Sequence, residues 1–289
     1  MKVSNWTIRG ISIAGRHTTI LVDELRVCFD LGIILDNIER TQTVLISHGH
    51  GDHIGSLHTF LSLRHLHKLV PPLCVMPDVC IPPFKILSSA ASALDRGKAD
   101  TIIFNKLIKC NVEAADGLHM LPLSYNPSYL ISSIPVVHKI PSFGYCIYNK
   151  RTKLKSEYIG LSGNELKSLK HNGLCITNDI YVAEIAFTGD TLFSSVVGND
   201  DFLSARVLIM ECTFLDDATI EEAHGGFHIH ISEILDNCHF FKNESIILTH
   251  FSDRYSTTDV LNRFATFNIT STFKDKIYLF LENGIHKLS

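Results

Sequence analysis

Between Leu45 and Gly55 the chain reads LISHGHGDHIG, which places His48, His50, Asp52 and His53 within six residues. Imidazoles and carboxylates make poor core material, because each needs a polar partner once it leaves water. An H-x-H pair at a strand exit points both side chains the same way, so His48 and His50 can meet one ion. Asp52 and His53 fall where the chain turns into a helix and could face a second ion. Zinc favours such nitrogen and oxygen donors, and a catalytic site leaves one position open for water. Two ions about 3.5–4 Å apart would clamp the attacking and leaving oxygens of a hydrolysis. The bland alternative is a solvated turn with idle histidines, since short motifs do misfire.

The elements that must position these residues follow from the hydrophobic pattern. Short β-branched runs come first: TTILVD, RVCFDLG and TVLISH. Apolar Ile54, Leu57, Leu61 and Leu69, near helical spacing, predict a helix from His53 to about Lys68. Strands and helices then alternate. LCVM precedes a helix over Phe84 to Leu94, LISSIPVVH precedes FGYCIYN, and GNELKSLKHNG predicts a short helix ended by Gly173. AEIAFTGD, VLIMECTF and SIILTHF are further strands. Strands closing at His48, His138, Asp190, Glu211 and His250 thus all finish in metal-competent or ionisable residues. In layered α/β folds functional groups gather at strand ends and in the loops beyond them.

The bulk numbers restrict the class. The chain has 289 residues, 45% hydrophobic and 19% charged, a composition suited to a folded enzyme rather than a disordered tail. Its net charge of −4 means that an anionic partner must be held by a local patch or by metal ions. The 8 cysteines form no CxxC pair, which reads as reduced thiols rather than a disulfide scaffold or zinc ribbon. No stretch has the length or apolarity of a signal peptide or membrane span, so an intracellular protein, cytoplasmic or nuclear, is expected. Without an internal repeat or a low-complexity linker, residues 1–289 are expected to form one domain.

The H-x-H-x-D-H run resembles the signature of the metallo-β-lactamase superfamily, an α/β fold built as a four-layered αβ/βα sandwich with a di-metal site at the strand ends. The remaining ligand positions follow in the order that superfamily uses: His138 in VVHKIPSFGY, Asp190 in FTGDT and His250 in LTHFSDRY. The resemblance implies that His48, His50 and His138 hold one zinc, that Asp52, His53 and His250 hold the other, and that Asp190 bridges them. MECTF around Glu211, GFHIHISE around His228, and HFSDRY with Ser252 and Arg254 are similar to motifs of ribonuclease Z, the tRNA 3′-processing endonuclease family. LKSEYIGLSGNELKSLKHNG is similar to a segment of its short, plant-type members, and the likeness runs from GISIAG and CFDLG through the final strand. It implies two Zn2+ per chain, with Mn2+ or Mg2+ as alternatives, a homodimer, and precursor tRNA as substrate. Cleavage would follow the discriminator nucleotide and leave a 3′-hydroxyl on the tRNA.

Phosphodiester hydrolysis needs a nucleophile, charge neutralisation in the transition state and a proton for the leaving oxygen. Asp52 is placed to act as ligand and proton acceptor. Arg254 is suited to bidentate phosphate contact, and Ser252 is a contact beside it. His228 is expected to donate the proton, oriented by Glu211 as carboxylates orient imidazoles. Phosphate contacts need local cations. The candidates are Arg64 and Lys68, the KRTKLK run with Lys150, Arg151, Lys153 and Lys155, and Lys167 with Lys170.

Other features read as structural. His230 would diverge from His228 at a helix start, and His224 reads as a helix-end residue. His17, His58, His65, His67, His119, His171, His239 and His286 are expected to be ordinary, and Cys212 a small buried hydrophobe. The long, basic, Gly/Pro-rich arm of many short ribonuclease Z enzymes has too little room between His138 and Asp190. Three rival functions share parts of this pattern. A thioester or lactam hydrolase has little use for HFSDRY or the Glu211/His228 pair. A phosphodiesterase of small substrates needs the same metals and donor, and an inactive RNA-binding metal protein would need fewer of these residues.

Overall fold

The computed structural model describes residues 1–96, 106–110 and 120–288. His119 lies outside them. Two eight-stranded sheets carry the architecture among the described residues. In the first, strands run in the order Lys2–Val3, Trp6–Ala14, His17–Val22, Val27–Phe29, Thr43–Leu45, Leu73–Pro77, Lys106–Cys110, and Phe251–Ser252 adds to Trp6–Ala14. In the second the order is Gly284–Lys287, Ile277–Leu281, Ser245–Thr249, Val207–Glu211, Thr177–Phe187, Ser142–Leu154, Tyr129–Val136, Leu121–Pro122. The centre of each sheet is parallel: Val27–Phe29 through Lys106–Cys110 in one, Thr177–Phe187 through Ile277–Leu281 in the other.

Alternation along the strands sorts side chains into three cores. Ile8, Ile20, Phe29 and Leu45 meet Tyr145, Ile147, Val207, Ile209 and Ile247 between the sheets. The alternate residues Leu208, Met210, Ile246 and Leu248 face outward, against Val260 and Phe264 of helix Thr257–Thr266 and Ile231 and Ile234 of helix Ile231–Asp236. Val44, Ile46 and Met76 do the same on the other sheet, under Phe60 of helix Leu57–Leu66 and Phe84 of helix Ile81–Arg96. Helix, sheet, sheet and helix layers result, which is the αβ/βα sandwich expected from the sequence. No helix among the described residues is long and apolar enough to cross a membrane.

Local structure departs from the sequence pattern at two helices. The helix expected from His53 to about Lys68 is two pieces, Gly51–Ile54 and Leu57–Leu66. The break comes where the Ser56 N–H leaves the helix ladder to donate to the carbonyl of Leu31. The helix expected over Phe84 to Leu94 begins earlier, at Ile81, because Pro82 and Pro83 occupy its first turn, where no N–H is needed. Gly163–His171 forms as expected, with a Ser162/Glu165 capping box and Gly173 at φ +78° beyond its end.

Candidate metal centre and active site

Four strand ends and one short helix deliver the ligands. His48 and His50 leave Thr43–Leu45, Asp52 and His53 lie on Gly51–Ile54, and His138, Asp190 and His250 follow Tyr129–Val136, Thr177–Phe187 and Ser245–Thr249. His250 sits where the chain crosses between sheets, since Phe251–Ser252 pairs with Ile13 and Ala14 of the first. Gly189 adopts φ +60°, and a Cβ there would come within 2.7 Å of Ser47 Cβ, so only glycine lets Asp190 approach so closely.

The seven expected ligands come together. His50 Nδ1 lies 2.9 Å from His48 Nε2 and 3.4 Å from His138 Nε2. His53 Nε2 lies 3.3 Å from His250 Nε2 and 3.4 Å from Asp52 Oδ2. Asp190 Oδ2 stands between the two groups, 3.8 Å from His48, 3.3 Å from His53 and 3.4 Å from His250. His48/His50/His138 and Asp52/His53/His250 are each compact enough to hold one ion, and so is Asp190/His228/His250.

The outer ring nitrogens are occupied, which turns the inner ones to the centre. His138 Nδ1–H donates to the carbonyl of Phe227 at 3.2 Å. His53 Nδ1–H donates to Asp30 at 2.7 Å, and His48 Nδ1 meets Ser47 Oγ at 2.9 Å. Asp30 is fully buried and accepts from the Ser47 N–H and hydroxyl as well. Asp30, Phe227 and His250 all have positive φ, 54°, 62° and 60°. Such backbone costs about 1–3 kcal/mol per residue and persists where surroundings over-determine it.

Electrostatics fits a cation. Burial would raise Asp190, but His250, His53 and His48 hold it well below the usual carboxylate range. Burial would likewise lower His53, and Asp190 and Asp30 raise it well above the ordinary imidazole value. Burial lowers His48, His50 and His138, which favours neutral imidazoles, the form that binds metal. Asp190 Oδ1 is buried with no hydrogen-bond partner. An orphaned carboxylate oxygen among converging lone pairs is what a divalent cation would satisfy.

Glu211, the last residue of its strand, stands beside this centre and is 1% exposed. Its Oε1 accepts from the Thr191 N–H at 2.7 Å and from His228 Nδ1 at 3.0 Å. Burial would lower His228, but the Glu211 charge and hydrogen bond push it up to about 9. The His228 ring lies 5.4 Å from both His138 and His250. At the rim, Arg254 is half exposed, its Nε donating to Ser252 Oγ at 3.2 Å, with its guanidinium 5.2 Å above the Phe214 ring.

The remaining candidates separate. Arg64 is buried and donates to the carbonyls of Glu39, Thr41 and Val70, so it ties two loops together and is no phosphate contact. Lys150 pairs with Asp179 at 2.8 Å and Arg151 with Glu184 at 2.7 Å; Lys153 and Lys155 have no ion pair among the described residues. His230 is buried, caps helix Ile231–Asp236 and donates from Nε2 to the carbonyls of Leu215 and Ala218, a structural role. His224, in the last turn of Ile220–Gly225, pairs with Glu233. His17, His58, His65, His67, His171, His239 and His286 join no metal-competent group among the described residues. Burial and Glu211 push the Cys212 thiol well up, so it is an unreactive hydrophobe. Sequence reasoning missed Asp30 and also Thr213, whose hydroxyl lies 2.6 Å from Glu211 Oε2 and 3.0 Å from His250 Nδ1; the signal for the first was an aspartate closing the strand CFD.

Comparison with known proteins decides the family. The tRNase Z TRZ1 of Arabidopsis thaliana is 38% identical to this chain over 264 residues, covering 90% of each. The chain belongs to the tRNase Z family. Chloroplastic tRNase Z TRZ2 of the same plant is 34% identical over 269 residues, 90% of this chain and 71% of that one. No protein-family model matches the chain. Its fold is that of human tRNase Z, short form (TM-score 0.60, 15% identity, 98% and 99% of the two chains), and of the Bacillus subtilis metallo-β-lactamase fold protein YhfI (TM-score 0.60, 14% identity, 97% and 98%). A tRNase Z of this fold is a metal-dependent hydrolase, and the site's donor set suits that chemistry.

Proposed function

We propose that this chain, acting as one hydrolase domain, is an endoribonuclease that removes the 3′ trailer of precursor tRNA, cutting after the discriminator nucleotide to leave a 3′-hydroxyl. The observation that carries this reading is the Glu211–His228 pair, 3.0 Å apart, beside a seven-ligand cluster in a tRNase Z family member. His48, His50 and His138 would hold one divalent ion and Asp52, His53 and His250 the second, with Asp190 placed between the two groups; zinc suits these donors, with manganese or magnesium as alternatives. Bound there, the ions supply the charge that activates water and neutralises the transition state. Asp52 takes the proton of the attacking water. His228 presents Nε2 to the leaving 3′-oxygen, its Nδ1 held by Glu211, and donates the proton. Arg254, steadied by Ser252 and Phe214, holds the phosphate.

The tRNA body has a second place to rest. Of residues 150–181 only Ile176 is buried, so the far half of hairpin Ser142–Leu154/Thr177–Phe187 and helix Gly163–His171 stand outside the core. Phe143 touches the site loop through Ser47, and Lys150, seven residues on, is about 23 Å further along the strand. Lys153, Lys155, Lys167 and Lys170 contact the tRNA there, beside Lys150 and Arg151, which are already paired. Such RNA is made inside the cell, so the work is intracellular.

We also read the chain as a homodimer. Helix Ile81–Arg96 buries Ile81, Phe84, Ser88 and Ser92, while Pro83, Ile86, Leu87, Ala90 and Leu94 are exposed at helical spacing. A helix more apolar outside than inside wants a partner surface. Sedimentation should report twice the 32.3 kDa chain mass, and one chain mass for Leu87→Asp; a monomeric parent contradicts this.

The function is tested by offering the metal-loaded enzyme a precursor tRNA and an unstructured RNA of equal length. Selective cutting of the first is expected. Equal degradation of both, or turnover of small phosphodiesters alone, contradicts the reading.

A further inference from the structure

Two buried carboxylates stand behind the cluster in matching arrangements, one from each sheet. Asp30 touches His53 Nδ1 at 2.7 Å and the Ser47 hydroxyl at 2.8 Å, and that hydroxyl meets His48 Nδ1 at 2.9 Å. Glu211 touches His228 Nδ1 at 3.0 Å and the Thr213 hydroxyl at 2.6 Å, and that hydroxyl meets His250 Nδ1 at 3.0 Å. Each carboxylate thus faces one imidazole directly and a second through a hydroxyl.

Proton counting fixes the direction of the second relay. Glu211 meets four donors: the N–H groups of Thr191 and Ile229, the Thr213 hydroxyl and His228 Nδ1. It is an acceptor throughout, as an ionised carboxylate is. The single hydroxyl proton of Thr213 therefore goes to Glu211, and the only proton left for the Thr213–His250 contact is the one on His250 Nδ1. With the Nδ1 proton committed to Thr213, Nε2 is the ring nitrogen that turns inward, toward Asp190 and His53, and the one that offers a lone pair to an ion.

We infer that Thr213 is a positioning residue for the metal centre: its hydroxyl sets the tautomer and orientation of His250 and makes Glu211 serve both a metal ligand and the proton donor His228. This rests on the proposed di-metal reading. Outer partners of metal-bound imidazoles hold ring orientation and ligand basicity, and Thr213 does so without touching the ion itself. Glu211 keeps His228 and both backbone donors when the hydroxyl is removed, so the two roles of the carboxylate are separable.

The test is Thr213→Val, which keeps the shape of the side chain, beside Thr213→Ser, which keeps the hydroxyl. Divalent-ion content and affinity are measured by chelator competition, and the fold of the metal-free proteins by circular dichroism. Thr213→Val should bind one of its two ions about 10–100-fold more weakly, with Thr213→Ser restoring it. The alkaline limb of the rate profile, set by His228, should stay in place. If the valine variant does not fold, Thr213→Ala removes the same hydroxyl without the added methyl. A parent with two ions and a valine or alanine variant holding both as tightly overturns this inference alone. So does a serine variant as weak as valine. A parent that binds no divalent ion overturns the metal centre with it.

Discussion

His228 Nδ1 lies 3.0 Å from Glu211 Oε1, and that short contact gives the site an acid at neutral pH. Glu211 closes a strand of the second sheet and His228 follows a turn at Phe227, whose positive φ also presents its carbonyl to His138. Donor and ligand cluster are therefore parts of one hydrogen-bonded assembly.

His228→Ala should leave the metal content intact and lower kcat by about 10²–10⁴-fold, the scale of a lost general acid. Metal analysis of the purified variant is the check. Because His228 also lies in a metal-competent group with Asp190 and His250, loss of an ion would make it a ligand instead.

Burial alone would lower His228, but Glu211 brings it to about 9. The folded value exceeds the unfolded one, near 6.5, so this pair's contribution to stability is complete below about 6.5 and disappears as pH rises through the folded value. Activity should fall over the same alkaline range as the donor loses its proton. Glu211→Gln should move that limb toward about 6.5; a limb that does not move removes Glu211 from the role.

Asp30→Asn replaces an acceptor with an amide that cannot serve the His53 N–H and both Ser47 donors equally. Metal affinity should drop by about 10–100-fold, and the metal-free chain should lose about 1–3 kcal/mol, the cost of an unsatisfied buried polar group. Chelator competition and denaturant unfolding read the two effects. Unchanged affinity would leave Asp30 a purely structural residue.

Lys153 and Lys155 have no ion pair among the described residues, whereas Lys150 and Arg151 are held by Asp179 and Glu184. Lys153→Ala with Lys155→Ala should flatten the salt dependence of tRNA binding by about 0.9 in slope for each duplex phosphate that is no longer neutralised. The same slope in parent and variant would mean these lysines only solvate the surface.

The ligands were legible because metal binding demands particular residue types, and His48, His50, Asp52 and His53 occur together in the chain. Their supports were not. Asp30 is 23 residues from His53 and resembles any aspartate after a strand. Thr213 offers a hydroxyl whose value depends on His250, 37 residues away. Arg64 looked like a surface cation in LRHLHK, but three carbonyls in two loops draw it inward. The helix break at Gly55 and Ser56 was hidden for the same reason, since the carbonyl that ends it belongs to Leu31. Periodicity reports which face of an element is buried, and it is silent on such crossings.

The most direct measurement is 3′-end mapping of a labelled precursor tRNA, with metal-loaded enzyme beside chelated enzyme and Asp52→Ala. A single cut after the discriminator nucleotide, absent from both controls, is expected. No position-specific cut by the metal-loaded enzyme, or a cut that survives chelation, would contradict it.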